Sequence, residues 1–87
     1  MRVTVVRRGG LAGVALRGDA DTADLPAQVE AAVRNLPAGK PAAAPSHPDG
    51  FQYEVSFGGQ SAVIDESEVN DDLRPLIEDA MSRAAIV

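Results

Sequence analysis

The sequence predicts an α+β fold of two layers, a four-stranded antiparallel sheet with helix packed on one face, in the order ββ-α-ββ-α. Three observations carry this reading. Phe51, Tyr53, Val55 and Phe57 alternate with Gln52, Glu54 and Ser56, the period of a strand with one apolar face. Leu25, Val29, Val33 and Leu36 recur at three to four residues and form one helical stripe. Two pairs of short alternating segments are each joined by a glycine-rich turn, the signature of antiparallel hairpins. With 87 residues the chain has room for one core, so residues 1–87 read as a single domain.

Taken in order, Val3, Val5 and Arg7 alternate with Thr4, Val6 and Arg8, a first strand over 3–7. Arg8-Gly9-Gly10-Leu11-Ala12-Gly13 is a turn, and Val14 and Leu16 open a second strand that ends in Gly18-Asp19. A helix is expected over about 23–36, capped by Thr22 or Asp24, with Pro26 in its first turn and Pro37 as its stop. Four prolines, at 37, 41, 45 and 48, set apart residues 37–49 as a mobile Pro/Ala-rich loop. The third strand covers 51–57 and Gly58-Gly59 is a two-residue hairpin turn. The fourth covers 60–65, its facing left open because Val63 and Ile64 are both apolar. Asn70, Asp71 and Asp72 then precede a second helix near 72–84, with Leu73, Leu76, Ile77, Ala80, Met81 and Ala84 on one face. The order of the strands is not chosen by the sequence. In the order 1-2-3-4 the two glycine turns share one end; if the third strand pairs with the first, they fall at opposite ends.

Composition narrows the function. Eight Lys and Arg against thirteen Asp and Glu give a net charge of −5, which argues against sequence-independent nucleic-acid binding. No apolar run reaches the ~18 residues of a membrane helix, and the N-terminus lacks the pattern of a signal peptide. A cytoplasmic location is therefore expected. The absence of cysteine excludes disulfides, thiolate metal sites and a cysteine nucleophile. Seven Arg to one Lys, with abundant Ala, points to a bacterial genome of high GC content. The acid is concentrated late in the chain: residues 49–87 carry nine carboxylates and two Arg.

No catalytic or metal-binding pattern in the sequence is complete. His47, the one histidine, lies in the proline-rich segment, where a catalytic Ser-His-Asp would lack preorganisation. Asp19, Asp21 and Glu30 imitate part of a calcium loop, but Ala23 and Asp24 stand where an oxygen ligand and a glycine are needed. Gly9-Gly10-x-x-Gly13 lacks the Lys-Ser/Thr of a phosphate loop and leads into a strand rather than a helix. The run from Asp65 to Asp72 holds five carboxylates, the solvated start of a helix or a face for a basic partner. The chain is expected to be no enzyme, to need no metal or cofactor, and to act by binding protein.

Three segments together resemble a known family. Arg8-Gly9-Gly10-Leu11-Ala12-Gly13 looks like its N-terminal signature, an apolar residue between glycines. Asp49-Gly50-Phe51-Gln52-Tyr53-Glu54-Val55 is similar to its central strand. Asp65-Glu66-x-x-Val69 with Leu73-x-Pro75-Leu76-Ile77 is similar to its acidic step into the last helix. The family is the emfourin-like inhibitors of thermolysin-like metalloproteases such as protealysin. The resemblance implies an intracellular bacterial inhibitor, monomeric when free, that fills the protease cleft reversibly. The candidate contact is Arg8, Gly9, Gly10, Leu11, Ala12 and Gly13, where Leu11 is either an apolar anchor for the cleft or a residue folded back onto its own sheet; Gly58 and Gly59 join them if the two turns share an end. A non-inhibitory acidic protein–protein interaction module is the competing reading.

Overall fold

The computed structural model describes residues 1–9, 14–36 and 50–86. The expected mobile loop at 37–49 and the centre of the first turn, 10–13, lie outside them. The described chain forms β1 (Arg2–Gly9), β2 (Leu16–Asp21), α1 (Ala27–Arg34), β3 (Phe51–Phe57), β4 (Gln60–Asp65), α2 (Arg74–Ser82) and β5 (Ala85–Ile86). Short 3₁₀ turns at Thr22–Asp24 and Glu66–Glu68 lead out of β2 and β4. The α+β class and the antiparallel pairing agree with the sequence, but the sheet has five strands, in the order β4-β3-β1-β2-β5.

The additional strand is a correction to the expected ββ-α-ββ-α order. The second helix stops at Ser82, and Ala84, expected on its face, lies beyond it. Ala85 and Ile86 then pair antiparallel with Arg17 and Leu16. A two-residue strand is too short to show a period, which is why the sequence pattern misses it. The strand order is also settled: β3 pairs with β1, with Gly9 opposite Phe51 and Thr4 opposite Ser56.

Burial follows the alternation. Val3, Val5, Ala20, Tyr53, Val55, Phe57, Ala62 and Ile64 point to the helix side of the sheet and are buried, and Phe51 at the end of the row is half-buried. All of these but Ala62 meet Val29 and Val33 of α1 and Leu73, Leu76, Ile77 and Ala80 around α2 in one core. The facing of β4 is resolved by that packing: Ala62 and Ile64 point inward, and Val63 lies half-exposed on the open face.

Both helices are shorter than their apolar stripes. Leu25 precedes Pro26 and is held extended (φ −121°, ψ 165°), as the clash with a following proline ring requires. The helix therefore begins at Ala27, and neither Thr22 nor Asp24 caps it. Thr22 is instead buried, its hydroxyl within 3.3 Å of the Met1 carbonyl and of Glu30 Oε1. β2 runs through Gly18-Asp19, where the sequence reading ends it, because α2 crosses the sheet there. A Cβ on Gly18 would lie 1.9 Å from the Ala80 carbonyl oxygen, so only glycine admits the helix backbone this close.

Candidate functional site

The pairing fixes which groups share an end of the sheet. Arg7 opposes both Leu16 and Tyr53, and Gly9 opposes Phe51. Asp65 opposes Gln52, which opposes Arg8, so the acidic 3₁₀ turn after β4 lies at the same end. One end therefore gathers Arg7, Arg8 and Gly9 from β1, Val14 and Leu16 from the start of β2, Gly50 and Phe51, Glu66–Glu68, and Ile86. The Gly58-Gly59 turn lies at the other end, about 20 Å away along β1. Gly9 and the Gly58-Gly59 turn thus lie at opposite ends, which is the second of the two arrangements the sequence left open.

Gly9 sets the direction in which the chain leaves β1. Its φ of +100° is a conformation that side chains disfavour, and a Cβ there would lie 2.5 Å from the Gly50 carbonyl oxygen. Both the angle and the space demand glycine. Gly58 and Gly59 have φ of +54° and +77° with nothing within 4 Å of a Cβ, so their turn is required by backbone angle alone. Gly10, Leu11, Ala12 and Gly13 lie outside the described residues.

Two cations flank the Gly9 end on opposite faces. The Arg7 guanidinium sits 4.4 Å above the Phe51 ring on the helix side, a cation–π contact. Arg8, on the open face, approaches Glu54 at 3.5 Å. That pair is solvated and orients Arg8 more than it stabilises the fold.

The acids are largely taken up by local structure. Asp65 accepts from the Ser67 amide at 3.1 Å and its hydroxyl at 2.6 Å, while Glu68 accepts from the Asp65 amide at 2.9 Å, a capping box. Asn70 Oδ1 accepts from the amides of Asp72 and Leu73 at the start of the last helix. The three acids of the calcium-like spacing are dispersed. Asp19 accepts from Thr4 Oγ1 at 2.6 Å, Asp21 from the Ala23 amide and the terminal ammonium, and Glu30 from Thr22. The Thr4 hydroxyl, with lesser help from Arg2 and Arg17, holds the Asp19 carboxyl below the ordinary 3.8. The Ala23 amide and then the terminal ammonium do the same for Asp21. Among the described residues no group of three or more His, Cys, Asp or Glu could hold a metal ion, and no helix is long and apolar enough to cross a membrane.

Sequence reasoning missed Val14, Phe51 and Ile86 as members of this end. Val14 and Ile86 are the exposed large apolar side chains among the described residues, at 40% and 75% exposure. The signal for Ile86 was the run Ala84-Ala85-Ile86-Val87, apolar beyond the reach of the helical face.

No curated protein and no solved structure matches the chain. The Emfourin family model matches residues 5–81, from within β1 to nearly the end of α2. With that match over most of its length, the chain belongs to the Emfourin family.

Proposed function

We propose that this protein is a reversible inhibitor of a thermolysin-like zinc metalloprotease and that it presents the Gly9–Gly13 turn to the active-site cleft. The family suggests a protease-inhibitor role, a metalloprotease partner in general and a protein that acts without catalysis of its own. The observation that carries the finer reading is the anchoring of the turn. β1, which leads into it, is paired on both sides, by β2 and by β3, and Gly9 is locked by its angle and by Gly50. A binding segment that starts from a fixed base has less conformational freedom to lose than a flexible substrate, and that difference favours an inhibitor. Leu11 is the apolar anchor in this reading, with Arg8, Gly9, Gly10, Ala12 and Gly13 around it. Gly58 and Gly59 are left out because they occupy the opposite end. In the same reading the protein is bacterial and cytoplasmic, and monomeric when free.

The test is the inhibition constant of wild type and Leu11→Asp against one thermolysin-like protease, with circular dichroism as folding control. A folded Leu11→Asp variant should bind more weakly by several kcal/mol, since its charge would be desolvated without a partner. Equal inhibition by the variant would refute the anchor. A wild type that inhibits no protease of the class would refute the function and favour the interaction-module reading.

A further inference from the structure

We infer that Val14 and Ile86 form a second contact with the same protease, beside the turn and outside the cleft, so that the C-terminal strand is part of the inhibitory surface. This rests on the reading proposed above. The exposed large apolar side chains of the described residues are these two, and both lie at the Gly9 end. Ile86 pairs with Leu16, which pairs with Arg7, and Val14 precedes Leu16 by two residues. Leu16 and Phe51, each half-buried, continue the apolar rim, and Arg7 is stacked over the Phe51 ring. The far end is different in kind: Gly58, Gly59, Gln60 and Ser61 are exposed there, and none carries a large apolar group.

Geometry commits the occupant. Ile86 sits two strand spacings from β1, about 10 Å sideways. A standard protein interface covers about 800 Å² on each partner, a patch of radius about 16 Å. A protease centred on the Gly9 end of β1 therefore reaches Ile86, and Val14 is five residues after Gly9 in the chain. Neither side chain needs to move to be covered. Burying them removes apolar surface from water, which slows dissociation more than it changes association.

The experiment measures inhibition of one thermolysin-like protease by wild type, Ile86→Thr and Val14→Ser, with thermal midpoints and sedimentation of each protein alone. Threonine keeps the β-branched side chain that suits a strand, and Val14 lies outside the strands, so at least one variant should fold normally. Each should raise the inhibition constant about ten-fold, mainly by faster dissociation, with a near-native midpoint. Folded variants that inhibit within two-fold of wild type would overturn the inference while leaving the proposed function intact. A wild-type dimer that Ile86→Thr dissolves would reassign the patch to self-association and overturn it too. A wild type that does not inhibit at all would remove the reading on which the inference stands.

Discussion

Gly18→Ala tests how the helical layer is seated on the sheet. The added Cβ would lie 1.9 Å from the Ala80 carbonyl oxygen, against the 3.4 Å at which ordinary contact begins. Relief requires α2 to lift from β2 by about 1.5 Å, since the obstructing atom is main chain and cannot rotate away. Leu76, Ile77 and Ala80 would rise with it out of the core. A gap of 0.5–1 Å already forfeits roughly a quarter to a half of the dispersion attraction between facing atoms. Overpacking of this severity costs about 3–4 kcal/mol, against a total of about 4–13 kcal/mol for a domain this size. The midpoint should fall by on the order of 15–25 °C. Urea unfolding followed by far-ultraviolet circular dichroism gives the loss by linear extrapolation. Because Gly18 is not among the glycines with positive φ, a loss is attributable to the contact and not to backbone angle. Ala80→Gly in the same background should restore nothing, as the carbonyl remains. A loss under about 1 kcal/mol, or full rescue by Ala80→Gly, would refute the reasoning.

Three further perturbations separate the ends of the sheet and the charges on its open face. Gly9→Ala meets both an unfavourable angle and the Gly50 carbonyl and should cost about 2–4 kcal/mol while weakening inhibition. Gly58→Ala meets the angle alone, should cost about 1 kcal/mol, and should leave the inhibition constant unchanged; a loss of inhibition there would move the contact to the other end. Acid should destabilise the protein through Asp19 and Asp21, whose carboxyls are held below their ordinary value in the folded state. Their contribution is present above pH 3.8 and is lost as pH falls through the lowered values. Asp19→Asn should accordingly flatten the acid limb of stability against pH, and an unchanged limb would show that the Thr4 bond does not matter energetically.

Much of the fold was legible because its signals are local. The alternation through Phe51, Tyr53, Val55 and Phe57 needs only one strand to be read, and Val29 and Val33 need only one helix. What escaped depends on distant parts of the chain. Both hairpins close locally, but the pairing of β3 with β1 is decided by how the two hairpins share a core, so either order fits the same alternation. Gly18 reads as the end of a strand because glycine is a poor strand residue. It is a strand interior because α2 requires the space its missing side chain leaves. The first helix begins late for a reason that was in view, the proline after Leu25, but the apolar stripe extends past it and hides the boundary. At the candidate site, the glycine that ends β1 was legible as composition, and the place of Ile86 was not, since only the pairing with Leu16 carries it to the Gly9 end.

The charge of the chain was the least informative feature, and its structure explains why. The concentration of acid after residue 64 suggests a surface for a basic partner. Yet Asp65 and Glu68 close a capping box, Asn70 caps the turn into α2, and Asp71 and Asp79 lie 3.7 and 3.4 Å from Arg74 and Arg83. Carboxylates near helix starts satisfy amides that have no partner within the helix, so a short chain with several such starts becomes acidic for reasons of folding. The feature that distinguishes one end of this molecule is the opposite of charge. Large apolar side chains remain in water at the Gly9 end, though a domain this small has few to spare for its core. In the proposed reading one protease covers them together with the segment that follows Gly9, so inhibition should depend on Ile86 as well as on Leu11.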